Sequence, residues 1–221
     1  MPVSTFLNYG KREFVVQWHL TNECDMRCSH CYIPHMNKGS NYDMSTETCR
    51  QVINKVCELS DKLNIPTRIN FSGGNPLLRT DFFEIARYAA NKKIRIGILG
   101  NPTSLLKDNT VKALKDIPVF RYQISIDGLK ENHERMRGNG SYEIAMTGLD
   151  ILIQNDIPSV VLTTVTKENM QDIPKLAELC FKKGITVYDF ARLVPSGEGE
   201  ALAHLMPSPR EYHKFLYEMY K

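Results

Sequence analysis

"FVVQWHLTNECDMRCSHCY", residues Phe14–Tyr32, sets a β-branched and aromatic run directly against three cysteines, Cys24, Cys28 and Cys31. The run Phe14–Leu20 reads as a strand, because Val, Phe and Trp suit a half-buried pleated surface. The cysteines follow in the loop, separated by three and then two residues. What this juxtaposition means depends on what the rest of the chain does.

Outward from that stretch, the same alternation recurs. Short runs rich in Val, Ile, Phe and Tyr read as strands at Phe14–Leu20, Arg68–Phe71, Ile94–Leu99, Phe120–Ile126, Val160–Thr166 and Thr186–Leu193. Between them lie helical periods: Cys49, Val52, Ile53 and Val56, then Ile173, Leu176, Ala177 and Cys180, and last Tyr212, Phe215, Leu216 and Met219. The last helix opens on Ser208-Pro209-Arg210-Glu211, an N-cap, a first-turn proline and a capping-box glutamate. Six β-then-α units predict an α/β fold with a parallel sheet and right-handed crossovers. Six are too few for a closed eight-stranded barrel, which leaves a partial barrel or a doubly wound sheet. Either places reactive groups at the carboxyl ends of the strands. Three further motifs fall there: "SGGNP" (Ser72–Pro76) after the second strand, "GNPTS" after the third and "SIDG" (Ser125–Gly128) at the fourth.

Composition narrows the function classes. The 221 residues are 42% hydrophobic and 24% charged, enough for one well-buried core, and the net charge of +3 is dispersed without a basic block. Neither a nucleic acid nor an anionic membrane is therefore expected as partner. The first ten residues lack the pattern of a signal peptide and no apolar run is long enough to span a bilayer, so a cytoplasmic, reducing location is expected. There, clustered cysteines are metal ligands or catalysts more often than disulfides. Cys49, Cys57 and Cys180 lie on or near apolar helix faces and read as small buried hydrophobes.

Two chemistries suit the remaining three thiols. Structural zinc wants four tetrahedral ligands, with His30 or His35 supplying the fourth around a non-catalytic α/β scaffold. A 4Fe-4S cluster held by three thiolates instead leaves one iron open, which is useful only where something else must bind.

"CDMRCSHCY", with C-x3-C-x2-C spacing and an aromatic residue after the third cysteine, resembles the radical S-adenosylmethionine enzymes. The resemblance implies a partial (β/α)6 barrel of the TIM type over residues 14–221, preceded by an N-terminal extension at 1–13. It also implies one 4Fe-4S cluster on Cys24, Cys28 and Cys31 and S-adenosyl-L-methionine on the fourth iron. One electron then cleaves a carbon–sulfur bond and yields a 5′-deoxyadenosyl radical, with a flavodoxin or ferredoxin as electron donor. By the same resemblance Ser72, Gly73, Gly74, Asn75 and Pro76 receive the methionine ammonium, although Asn75 stands where glutamate is common and carries no charge. Ser125 contacts the cofactor, Arg137 pairs with its carboxylate, Leu193 and Val194 frame the adenine, and Tyr32 shields the cluster. Read from the residues alone, Asp127 is a turn residue before Gly128.

The "SIDG", "HERMRG" and "RLVPSGEG" stretches are similar to the SPASM/Twitch subgroup, whose C-terminal extension carries auxiliary clusters. With no cysteine after Cys180, that extension is expected to be absent from this chain. The subgroup implies a peptide or small-protein substrate that is crosslinked or epimerised, with sulfatase maturation or haem and cofactor biosynthesis as the alternative.

Overall fold

The computed structural model describes residues 12–34, 43–185 and 187–220; His35, Thr186 and most of the proposed 1–13 extension lie outside them. All six expected strands are present: β1 Phe14–Thr21, β2 Thr67–Gly73, β3 Arg95–Leu99, β4 Val119–Ser125, β5 Ser159–Val165 and β6 Val187–Arg192. Seven helices accompany them among the described residues: α1 Thr46–Leu63, α2 Phe82–Asn91, α3 Asp108–Lys115, α4 Lys130–Arg137, α5 Ser141–Gln154, α6 Ile173–Lys183 and α7 Pro209–Tyr220.

Strand order decides between the two architectures open to the sequence. The sheet runs β1-β2-β3-β4-β5-β6 and every neighbouring pair is parallel. A doubly wound sheet reverses direction at a switch point; this one never does. Successive right-handed crossovers in one direction put the helices on one face and leave the other to form a lumen. The sheet is a six-unit partial barrel, with β1 and β6 as its two edges.

Alternation along each strand sorts the side chains between those faces. Ile69 and Phe71, Ile96 and Ile98, Tyr122 and Ile124 face the helices and join Ile53, Phe82, Ile85 and Leu149 in one continuous core. Each such side chain contributes roughly 1.5–3 kcal/mol on burial. Cys49 and Cys180 are fully buried in that core and Cys57 packs against it, as small hydrophobes. A smaller cluster of Val165, Ile173 and Phe215 seats α7. The α7 capping box is formed: Ser208 N–H donates to Glu211 Oε2 at 2.8 Å and Glu211 N–H to Ser208 Oγ at 3.3 Å. No described helix is long and apolar enough to cross a membrane.

Candidate functional site

The segment carrying Cys24, Cys28 and Cys31 has no regular secondary structure, and its shape comes from distant parts of the chain. At its start, Gly74 N–H donates to Thr21 O at 2.8 Å and Asn75 N–H to Glu23 O at 2.7 Å. Only glycine fits at positions 73 and 74. A Cβ on Gly73 would stand 2.1 Å from Thr21 O, one on Gly74 2.1 Å from Glu23 O, and Gly73 has φ +125°. The end of β2 thus lies flush against the first residues of the cysteine loop. In mid-loop, Ser29 N–H and Oγ–H both donate to Met136 O, from the last turn of α4. At its end, Glu198 N–H donates to Cys31 O at 2.8 Å.

Two of the three thiols face a side-chain N–H, and each donor is held by a carboxylate. Asn101 Nδ2 lies 3.3 Å from Cys24 Sγ and 2.6 Å from Asp25 Oδ1. Asp25 also accepts from Thr103 Oγ1 and from Asn75 Nδ2. Burial acts to raise the Asp25 pKa, but these three hydrogen bonds outweigh it and hold the carboxyl below the usual carboxylate range. On the other side, Arg137 Nη1 lies 3.6 Å from Cys28 Sγ while its Nε donates to Asp127 Oδ2 at 2.5 Å. Asp127 is fully buried and also accepts from Thr164 N–H. Burial opposes its charge; the Arg137 guanidinium, with His30, the Thr164 N–H and His133, together outweigh that and lower its pKa.

His30 belongs to this second group. Its Nε2 is 3.2 Å from Arg137 Nη2 and 3.5 Å from Asp127 Oδ2. Burial lowers its pKa to about 4, so the ring is neutral at pH 7. A guanidinium only donates, which makes Nε2 the acceptor and leaves the proton on Nδ1. That Nδ1 is buried and has no partner among the described residues. His30 lines the same cleft as the three cysteines, with its Nε2 turned to Arg137 and Asp127. Among the described residues, no three His, Cys, Asp or Glu side chains are arranged to hold a single metal ion.

All three cysteines open on one cleft of about 300 Å³ at the carboxyl ends of the strands. Of the residues singled out from sequence, Tyr32, Ser72, Gly73, Gly74, Ser125 and Arg137 also line it. Tyr32 is half exposed, with its hydroxyl 2.5 Å from His19 Nε2. Ser72 and Gly73 are the last residues of β2 and do not follow it; Arg137 ends α4, twelve residues past β4. Asn75, Pro76, Leu193 and Val194 are not in the lining. Asn75 is fully buried, donating to Asp25 and Ser104 and accepting from Leu77 and Asn101 N–H. Pro76 opens a short 3-10 turn, Leu193 is buried and Val194 is 72% exposed.

Asp127, expected as a turn residue before Gly128, lies in the link from β4 to α4 and is also the buried anchor of Arg137. Asn101, from the "GNPTS" motif, lines the cleft without having been given a role, and Leu99, Gln123, Leu162 and Thr164, which also line it, were passed over. Period 2 carried the signal for Gln123, two residues before Ser125 on the same strand face.

Taken together, the donor set suits a cluster of several irons: three soft thiols, two N–H donors aimed at sulfur, and a cleft beside them with room for a further ligand.

A sequence model described as the Radical SAM superfamily matches residues 18–180. The chain is 32% identical over 209 residues to an AdoMet-dependent heme synthase of Methanosarcina barkeri, covering 94% of this chain and 58% of that protein. It is 27% identical over 203 residues to mycofactocin maturase MftC of Mycolicibacterium smegmatis, covering 91% and 50%. Among solved structures, native anSMEcpe with bound AdoMet and Cp18Cys peptide superposes with a TM-score of 0.75 at 20% identity, covering 94% of this chain and 58% of that one. The chain thus spans about half the length of the curated relatives it matches.

Proposed function

The chain belongs to the Radical SAM superfamily, and from that premise we propose that it is a radical enzyme whose cleft holds one 4Fe-4S cluster and S-adenosylmethionine, the cofactors of the family. Bound together, these cofactors supply a one-electron reductive cleavage of a carbon–sulfur bond, leaving a 5′-deoxyadenosyl radical that takes hydrogen from substrate. The chain's own residues hold, orient and seclude. Cys24, Cys28 and Cys31 are the three thiolate ligands. Asn101 and Arg137 place N–H groups against two of those sulfurs, and the carboxylates of Asp25 and Asp127 keep the donors aimed.

Arg137 would also offer a guanidinium to the carboxylate of the methionine moiety, and Ser72, Gly73 and Gly74 would receive its ammonium. Ser125 takes a further polar contact from β4. Tyr32, fixed by His19, covers the outer side of the cysteine loop. For Asn75 the role proposed is indirect, through Asp25 and Asn101, and for Pro76 it is to turn the chain away from β2. Leu193 and Val194, just past β6, would supply backbone to the adenine. A flavodoxin or ferredoxin supplies the electron.

Two substrate readings have support. Peptide modification is supported by the mycofactocin maturase likeness and by the peptide in the anSMEcpe complex. Tetrapyrrole chemistry is supported by the heme synthase likeness, at higher identity. The observation that carries the radical reading is the meeting of three loop thiols and the Ser72–Gly74 backbone at one cleft. Anaerobic reconstitution tests it. The reading requires a brown protein, absorbing roughly near 400 nm, with about four irons per chain. A colourless protein holding about one zinc contradicts it and restores the scaffold alternative.

A further inference from the structure

Two of the three thiols have a side-chain N–H against the sulfur, and among the described residues Cys31 has none. Its place is set through the backbone instead. Cys31 N–H donates to Cys28 O at 3.3 Å, and Cys31 O accepts from Glu198 N–H at 2.8 Å. Both peptide groups flanking the Cys31 Cα are therefore held, the second by a residue that follows the last strand. Glu198 belongs to "VPSGEG", residues 194–199, of which the proposed cofactor contacts take up Val194 alone.

β1 and β6 are the two edges of the sheet and do not pair with each other. The Glu198 contact joins the segment after β6 to the segment after β1. The β6–α7 link is itself tied at both ends to residues 165–167: Leu193 N–H donates to Val165 O at 2.9 Å, and Lys167 N–H donates to Leu205 O at 2.8 Å. Between those anchors it turns at Ser196, whose carbonyl accepts from Gly199 N–H at 3.0 Å, and runs as a 3-10 helix over Gly197–Leu205. The first turn of that helix lies flush on the cysteine loop. A Cβ on Gly197 would overlap Tyr32 O and stand 2.8 Å from Cys31 O, and one on the buried Gly199 would stand 3.3 Å from His30 O. Gly197 also has φ +58°. Conformation alone does not account for it: Gly138 and Gly140 have positive φ too, and nothing lies within 4 Å of a Cβ at either. At Gly197 the left-handed turn and the close approach to two loop carbonyls coincide, as they do at Gly73 at the other end of the loop.

We propose that Gly197 is a positioning residue for the third thiol: it lets the β6–α7 link come close enough for Glu198 N–H to fix the Cys31 carbonyl, so that this ligand is held from the far edge of the barrel. The role rests on the reading that Cys31 is a cluster ligand. A side chain at 197 moves either the link or the Cys31–Tyr32 backbone, and either movement breaks the hydrogen bond from Glu198. Cys24 is untouched by such a movement, because its supports are Asn101 and the Gly74 contact on the β2 side. The thiols should therefore respond unequally, which a general loosening of the fold would not produce.

Gly197→Ala is compared with Gly140→Ala, which places a Cβ at a similar φ of +77° in open space. Both variants carry the left-handed backbone cost, and Gly197→Ala alone meets the cysteine loop. The metal-free chains are alkylated with iodoacetamide and read by mass spectrometry at Cys31 and Cys24, both half-buried. Cys31 is expected to react several-fold faster in Gly197→Ala, with Cys24 at its parental rate. In the reconstituted chains, Gly197→Ala should release iron to a chelator at least about tenfold faster, the scale of losing an outer-shell support of a metal ligand. Gly140→Ala should match the parent in both measurements. Should Gly197→Ala fail to fold, Gly199→Ala decides by the same two readouts. Unchanged alkylation of Cys31, equal acceleration at Cys24 and Cys31, the same changes in Gly140→Ala, or iron released at the parental rate overturns the proposal. A parent chain that takes up no cluster overturns the radical reading, and the alkylation of Cys31 still decides whether Gly197 holds that thiol in place.

Discussion

Arg137 donates through Nε to the fully buried Asp127 at 2.5 Å and, through Nη1, comes within 3.6 Å of Cys28 Sγ. One guanidinium therefore ties a thiol of the cysteine loop to the end of the fourth strand. Removing the carboxylate leaves that cation buried and uncompensated. Asp127→Ala is expected to destabilise the chain by about 3–5 kcal/mol, read from the midpoint of urea unfolding at unchanged slope. A loss below about 1 kcal/mol, the scale of an exposed ion pair, would show that water replaces Asp127.

The six cysteines should divide into two sets. Alanine at Cys24, Cys28 or Cys31 is expected to abolish iron retention with little change in the melting of the metal-free chain. Alanine at Cys49 or Cys180, both fully buried, should keep the iron and destabilise by on the order of 1 kcal/mol. Normal iron content in Cys28→Ala would remove the three-thiolate assignment.

Asn101 makes a redox prediction. Its N–H faces Cys24 Sγ and is aimed by Asp25. A hydrogen bond to sulfur favours the more electron-rich, reduced cluster, so Asn101→Ala should make the reduction potential more negative. About 1 kcal/mol of differential hydrogen bonding corresponds to on the order of 50 mV for one electron. Redox titration followed by electron paramagnetic resonance reads it; an unchanged or raised potential contradicts the contact.

His133 should make the stability pH-dependent. It is fully buried, its Nδ1 accepts from Asp127 N–H at 3.0 Å, and burial lowers its pKa to about 4. The unfolded chain takes up that proton near pH 6.5 and the folded one only near pH 4. Stability is therefore complete above pH 6.5 and declines as pH falls toward 4, by at most about 3 kcal/mol. His133→Asn, which keeps an acceptor without the titration, should reduce the slope of unfolding free energy over that window, the remainder belonging to His30, whose pKa is lowered alike. An equal slope in both proteins assigns the loss to other groups.

How much of this was legible beforehand follows from the range of each interaction. Every strand was found within about two residues, because runs such as Val160–Val165 carry their signal locally. The α7 start was equally local, since Ser208 and Glu211 are three residues apart. Strand order was not readable, since either winding uses the same β-then-α units. Nor were the supports of the thiols: Asn101 and Asp25 are 76 residues apart, and Thr164 and Asp127 37. Asp127 stands at the turn that Asp before Gly suggests, but its burial and its pairing with Arg137, ten residues on, were not readable.

The central claim is that Cys24, Cys28 and Cys31 hold a cluster with an open iron at which S-adenosylmethionine is cleaved. The most direct test is chromatography of 5′-deoxyadenosine and methionine from the reconstituted, dithionite-reduced chain incubated anaerobically with S-adenosylmethionine. Both products are expected in equal amounts, and neither from Cys28→Ala. A chain loaded with about four irons that forms neither, or a Cys28→Ala variant that forms both at the parental rate, would contradict it.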